Sequence, residues 1–372
     1  MWIIWTVVAI VAAIVMLLAV IYLTRFIRSF IYCYKGNKLF DNADVLGALN
    51  FYEKALKVKP KMRAATVAAG LANSMLGRHE KALAYFDKAW SSSPESYISA
   101  YYRGNTLLAL ERYEEALDCF IKAIKLDSKS DDAYYCKGYA LEALEQYEEA
   151  LKCYDKAISL NPNQYDALYS KGEMLRQLDR LDEALDCYDR LIEIQPSYIQ
   201  AYNAKASTLF MQENYDDAIE IFDIVLQKDP GNIAARFGKG KIHFMLGSND
   251  EAVEQFEKII ELQPEFSEAY HYMGNVMLQM DEFDAAMDYF DKAMELAPDS
   301  TGAYVSKAGA LFYTGECEDA LELYDKALEI EPEAIEAIYG KAELLKYMGE
   351  YEEASELYEL ASELEVKSGN QF

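Results

Sequence analysis

The sequence predicts an all-α chain, one N-terminal transmembrane helix followed by a solenoid of ten helix–turn–helix repeats. Three observations predict it. The first 24 residues hold no charged side chain, although the whole chain carries a formal charge of −27. All eight prolines fall on one 34-residue ruler. An alanine stands twelve residues before each mark, with an aromatic residue four positions after it.

The opening segment comes first. From Trp2 to Leu23 run 22 residues in which Thr6 is the one strongly polar side chain. As a helix they reach about 33 Å, enough to cross a ~30 Å hydrocarbon core. A cleavable signal has a basic start and a small-residue cleavage site. Here no Lys or Arg precedes the apolar run, and Tyr22-Leu23-Thr24-Arg25-Phe26 follows it. The expectation is an uncleaved anchor at 1–24 and a basic juxtamembrane segment at 25–28. Arg25, Arg28, Lys35 and Lys38 all lie on the C-terminal flank. By the positive-inside tendency the N-terminus lies outside and the bulk of this single-pass protein in the cytoplasm. Residues 2–23 would then contact the bilayer.

The repeats fill 29–368, with a short tail at 369–372. Their prolines are Pro60, Pro94, Pro162, Pro196, Pro230, Pro264, Pro298 and Pro332, with Ser128 at the vacant mark. The alanine–aromatic pairs run from Ala48 and Tyr52, through Ala150 and Tyr154, to Ala354 and Tyr358. Twelve residues before each alanine stands Gly or Ala, beginning with Gly36, Gly70, Gly104 and Gly138. The fourth unit shows the expected layout: helix A over Asp131 to Leu144, a turn at 145–147, and helix B over Glu148 to Asn161. Gly138 and Ala150 are small because the two helices cross closely, and Tyr154 fills the space beneath. Pro162 has no N–H to donate and ends helix B. Such a unit cannot bury its face alone, so neighbours stack.

This pattern resembles the tetratricopeptide repeat family over ten units without an insertion or deletion. The resemblance implies a right-handed superhelix with helix B on its outer face. In the tenth unit two helix-B positions that are apolar elsewhere become Ser355 and Ser362. These are expected to face water and end the array, leaving no place for a catalytic domain after it.

Composition narrows the function. An excess of 27 acids repels phosphate backbones, so nucleic acid is not an expected partner. The six cysteines show no C-x-x-C spacing, and the three histidines are scattered. No metal site, cofactor, catalytic residue or small-molecule substrate is evident. Cys119, Cys153 and Cys187 recur at 34 residues but read as small reduced thiols. A basic row is more informative: Lys35, Arg103, Lys137, Lys171, Lys205, Lys239, Lys307 and Lys341 share one helix-A position. Nine units carry an acid directly after the helix-B aromatic, among them Asp87, Asp155, Asp189, Asp223, Asp291 and Asp325. The two rows are expected to pair.

The family resemblance also implies that ligands lie along the concave face, on positions 2, 5, 9, 12 and 13 of helix A. The fifth position carries no lysine, so capture of a chaperone's C-terminal carboxylate is not expected. Units 3 to 5 offer Tyr101, Tyr135, Tyr139 and Tyr169 beside Asp132, Glu142, Asp166 and Glu173, which suits a basic or polar peptide. The sixth and eighth units add Asn203, His271 and Asn275. Units 6 to 9 offer Phe210, Met211, Phe237, Phe244, Met245, Phe312 and Tyr313, which suits an apolar segment. A second reading of these side chains, packing between neighbouring helices, stands beside the first. The expected function is that of a membrane-anchored scaffold, not an enzyme, binding other proteins or peptide segments. A self-assembling structural protein and a regulatory subunit of a membrane complex are the alternatives.

Overall fold

A computed structural model describes residues 2–369, and every element in it is an α-helix. The chain divides into two compact units, Met1–Cys187 and Tyr188–Phe372. In the first lie α1 (Trp2–Asp41), α2 (Val45–Val58), α3 (Arg63–Met75), α4 (His79–Ser92), α5 (Tyr97–Leu108), α6 (Tyr113–Leu126), α7 (Asp131–Ala143), α8 (Tyr147–Leu160) and α9 (Tyr165–Gln177). The division falls within α10 (Leu181–Ile194). The second holds α11 (Ile199–Met211), α12 (Tyr215–Lys228), α13 (Ile233–Met245), α14 (Asn249–Leu262), α15 (Ser267–Gln279), α16 (Phe283–Leu296), α17 (Thr301–Thr314), α18 (Cys317–Ile330), α19 (Ile335–Met348) and α20 (Tyr351–Gly369). Odd-numbered helices are A helices and even-numbered ones B helices. The fourth repeat matches its expected layout to within a residue: helix A stops at Ala143, and helix B starts at Tyr147 rather than Glu148. Of the expected tail, all but the first residue lies outside the described residues.

The A–B turn follows a second ruler that the prolines do not reveal. Ala43, Gly77, Glu111, Glu145, Asp179, Glu213, Gly247, Asp281, Gly315 and Gly349 all have positive φ, between 56° and 94°. Each is the left-handed residue that closes helix A. In the fourth repeat the N–H of Gln146 then bonds back to the Leu141 carbonyl at 2.8 Å, satisfying a terminal acceptor.

The small residue on helix A makes room for the aromatic ring itself. A Cβ placed on Gly36, Gly70, Gly104, Gly138, Gly240 or Gly274 would come within 2.5–2.8 Å of the ring sixteen residues on. On its other side the ring meets the next repeat's helix A, where Tyr102 stacks on Phe86 and Tyr272 on Phe256. The sixth and ninth repeats have Ala206 and Ala308 in the glycine position. There the room moves to the other side. The rings of Phe222 and Tyr324 lie against Gly238 and Gly340, where an added Cβ would sit 2.7 Å from Cε2 and 2.6 Å from Cζ respectively. In the sixth and ninth repeats the slot thus loses its glycine wall on one side and gains it on the other. The tenth, with Ala342 opposite Tyr358, has no following repeat among the described residues to supply one.

The two charged rows pair across repeat junctions. Arg103–Asp87, Lys171–Asp155, Lys205–Asp189, Lys239–Asp223, Lys307–Asp291 and Lys341–Asp325 all stand at 2.5–2.6 Å. In each the acid belongs to helix B of one repeat and the base to helix A of the next, sixteen residues on. The irregular units follow from this register: Glu53 faces Ala69, Ile121 faces Lys137, and Glu257 faces Met273. The basic stems are mostly buried while the carboxylates are about half exposed, so each bridge is partly screened. Replacing Lys239 by methionine is expected to change stability by no more than about 1 kcal/mol. Urea denaturation at low and high salt checks this; the difference from wild type should shrink with salt.

The segments expected as anchor and juxtamembrane stretch form one unbroken helix, α1, with the first helix A. Its far half packs against α2 and contributes Cys33 to the core around Tyr52. From Ile10 to Leu23 its side chains are exposed, and Trp2 is 87% exposed. Cys119, Cys153 and Cys187 are buried free thiols. Burial pushes the Cys187 thiol up to about 11, against the pull of Lys171. Ser355 and Ser362 are exposed on α20.

Candidate peptide-binding surface

In the first unit the expected aromatic residues divide by depth. Tyr97 and Tyr101 on α5 stack at 5.6 Å, and Tyr101 meets Phe120 edge-on at 6.2 Å. Tyr135 lies 6.0 Å from the Tyr154 ring, and burial pushes its hydroxyl up to about 12. Tyr101 and Tyr135 both pack against the core around Phe120. Tyr169 is half-buried, whereas Tyr139, on the following turn of α7, is exposed. The neighbouring carboxylates are partly engaged within the protein. Tyr154 donates to Glu142 at 2.5 Å, and Arg176 pairs with Glu173 at 2.7 Å. Burial raises the Glu142 carboxyl, with the Tyr154 bond opposing it. Gln164 donates to Asp132 at 2.9 Å; Asp132 and Asp166 are exposed.

In the second unit Phe237 meets Phe256, Phe266 and Tyr272 at 5.3–6.0 Å, all edge-on. It is an inter-helix packing residue. Phe244 lies edge-on to Tyr272 at 5.9 Å, and Phe312 to Tyr347 at 5.4 Å. Lys241 stands 5.3 Å from the Phe210 ring. Asn203 donates to Asn232 at 3.3 Å. Met211 and Met245 are exposed, and Tyr313, stacked on Phe283 at 5.6 Å, is 78% exposed.

Two adjoining cavities, of about 420 and 550 Å³, open along α15 and α17 and share Asn275, Val305 and Ser306. Phe244, His271 and Tyr272 line the smaller, and Leu278, Phe283 and Tyr313 the larger. Four sequence-predicted residues therefore converge here: Phe244, His271, Asn275 and Tyr313. Ser306 and Tyr272 are additions, because they occupy a helix-A position outside the expected set. Gly302 and Gly309 carried a signal. A helix gains nothing in stability from glycine, so two on α17 mark places where a neighbouring side chain comes close. A Cβ on Gly302 would lie 3.2 Å from His271 Cε1.

The His271 Nε2 atom lies 2.8 Å from Ser306 Oγ and 3.2 Å from Asn275 Nδ2. Phe244, Leu278, Val305 and Tyr313 give this polar centre apolar walls, while Asp281, Glu331 and Glu336 line the cavities with carboxylates. This mixture suits an extended segment whose backbone supplies hydrogen bonds. Burial lowers the His271 pKa, with Glu268 opposing. The fold therefore favours the neutral ring, and its stabilising contribution is full above the unfolded value of about 6.5. It is lost as the pH falls from there to the depressed folded value. His271→Gln is expected to flatten the decline of the urea midpoint as the pH falls below about 6.5, measured side by side with wild type.

Comparisons with known proteins agree with this architecture. One tetratricopeptide repeat model matches residues 35–97 and 135–199, a second 209–275 and 311–370, and a third 187–220. Together they cover more than half of the chain. Shorter stretches match the models for anaphase-promoting complex, cyclosome, subunit 3 (75–157) and regulator of microtubule dynamics protein 1-3 (246–310). No curated protein matches the sequence at a significant level. Among solved structures, yeast Tom70 aligns at 18% identity over 90% of this chain and 85% of its own, with a TM-score of 0.50. A tetratricopeptide repeat protein from Parabacteroides merdae aligns at 18% over 67% of this chain and 99% of its own, with a TM-score of 0.51. Pseudomonas aeruginosa pilF aligns at 18% over 57% and 97%, with a TM-score of 0.50. At these identities the likeness is one of fold.

Proposed function

We propose that this chain, which belongs to the tetratricopeptide repeat family, is a membrane-anchored scaffold that captures protein segments and recruits them to a bilayer. In this reading it does no catalysis. The captured segment lies along the A helices, with the paired cavities around Asn275, Val305 and Ser306 as the principal site. Tyr313 lines the larger cavity with exposed apolar surface, and Phe244 lines the smaller. Tyr101, Tyr135, Tyr139 and Tyr169 serve a separate surface of the first unit. The anchor is the near half of α1, with the N-terminus outside and the repeats in the cytoplasm.

One observation carries the reading. The same helix that exposes an uninterrupted apolar surface from Ile10 to Leu23 becomes helix A of the first repeat, so the array is attached directly to the segment that seeks lipid. Contiguous apolar exposure of this kind is rare on water-soluble surfaces. Its length and composition suit a crossing.

The binding half is tested with a random peptide library selected on the full-length chain in detergent micelles. Ser306→Trp fills the space common to the two cavities, and Tyr313→Ser removes an apolar wall of the larger. Each is expected to weaken the selected peptides about tenfold or more, with helicity unchanged by circular dichroism. Undiminished affinity in both variants places the bound segment elsewhere.

A further inference from the structure

Two cavities at the membrane end of the first repeat take no part in the peptide surface. One, of about 720 Å³, lies between α1 and the end of α2, and is lined by Arg25, Arg28 and Lys57. The other, of about 340 Å³, shares Arg25 and adds Lys59 and Lys61 from the loop after α2. Five cations thus meet at one end of a protein whose formal charge is −27. Among the described residues none of the five has a carboxylate within 4.0 Å. The abundant acids of the chain are spent elsewhere, on the repeat junctions and the B helices. Like charges gathered without a partner repel one another, and an external anion relieves that repulsion.

The surroundings identify the anion. Lys59 holds its ammonium 4.3 Å from the Phe26 ring, fixing the loop against α1. The walls between the cations are apolar: Ile27, Ile31 and Val58 in the larger cavity, Tyr22 and Phe26 in the smaller. Beyond them α1 continues as the exposed apolar segment. A free phosphate has no use for apolar walls, whereas a lipid carries its phosphate on a glycerol and acyl chains that do. We propose that Arg25, Arg28, Lys57, Lys59 and Lys61 form a binding site for the headgroup phosphate of an anionic phospholipid. The guanidinium groups grip the phosphate oxygens, and the loop lysines close over them. The site rests on the anchor reading, since it needs the near half of α1 in the bilayer. It also clamps the first repeat to the membrane surface, because its cations come from α1, the last turn of α2 and the loop after it.

The test reconstitutes the full-length chain into phosphatidylcholine vesicles containing a trace of spin-labelled phosphatidylglycerol or spin-labelled phosphatidylcholine. The fraction of label immobilised by the protein is then compared. The expected result is a preference for phosphatidylglycerol of about fivefold. The triple variant Lys57→Gln, Lys59→Gln and Lys61→Gln, which leaves both arginines of α1 in place, should lose most of it. Lys88→Gln, Lys125→Gln and Lys156→Gln together, the same charge change on exposed B-helix positions, should keep it. Excess inorganic phosphate should leave the preference in place; if it abolishes the preference, the site takes free phosphate and the lipid assignment falls. Equal immobilisation of the two lipids, or full preference in the loop variant, also overturns the proposal. Flotation of the same vesicles after alkaline carbonate separates the two failures. A chain that floats without lipid preference keeps the anchor and loses the headgroup site, whereas a chain that does not float loses both.

Discussion

Truncating Phe256 to alanine is expected to cost about 3–5 kcal/mol, the range for deleting a fully buried large aromatic. The ring is completely buried, lies 2.8 Å from where a Gly240 Cβ would be, stacks on Tyr272 and receives the edge of Phe237. Around it gather Ala252, Ile259, Ala269, Met273 and Val276, held on packed helices that cannot collapse far enough to close the void. In a linear array each repeat contacts its neighbours, so the loss stays local. Amide hydrogen exchange should quicken in α13, α14 and α15 while α17 to α19 change less, and the urea midpoint of the full-length chain in detergent should fall. A variant with wild-type exchange in α14 would show that this ring does not hold the seventh repeat to the eighth.

Replacing Gly238 by valine is expected to destabilise the junction of the sixth and seventh repeats by about 1–3 kcal/mol. The Phe222 ring occupies the place of the missing side chain and has no retreat, because Ala206 stands where most repeats keep glycine. The second substitution follows from the geometry. Ala206→Gly reopens the other wall of the slot, so the double variant should recover much of the loss. Strict additivity of the two changes in urea denaturation would contradict the account, since walls of one slot must couple.

Much of the fold was legible because its signals repeat without a phase error. The Ala48–Tyr52 pair and its successors, the prolines and the small helix-A residues fixed where each helix sits. The helix boundaries in the fourth repeat moved by a single residue. Two features were present in the sequence but needed geometry to be read. The exchange of glycine between Ala206 and Gly238 spans two repeats, and it has meaning once the Phe222 ring is seen between them. The charged rows were visible, but their junction register explains why Ile121 leaves Lys137 without an acid opposite.

The binding surface was less legible, for a physical reason. A helix-A aromatic can face outward or fill the gap to the next helix, and periodicity does not distinguish the two. Phe237 packs inward against three rings, while Met245, eight residues later on α13, is exposed. The cavities around Ser306 arise where side chains are small, and absences are weak signals. The basic cluster was hidden differently: Lys57, Lys59 and Lys61 stand some thirty residues from Arg25 and Arg28, and the fold of the first hairpin brings them together.

The central claim is that one apolar helix holds this array on the cytoplasmic side of a membrane. Protease added to sealed cells producing the full-length chain, followed by detection of the repeats, tests it most directly. The account predicts that α2 to α20 stay intact until the membrane is breached and are then cleaved. Digestion of the repeats in cells that remain sealed would contradict it.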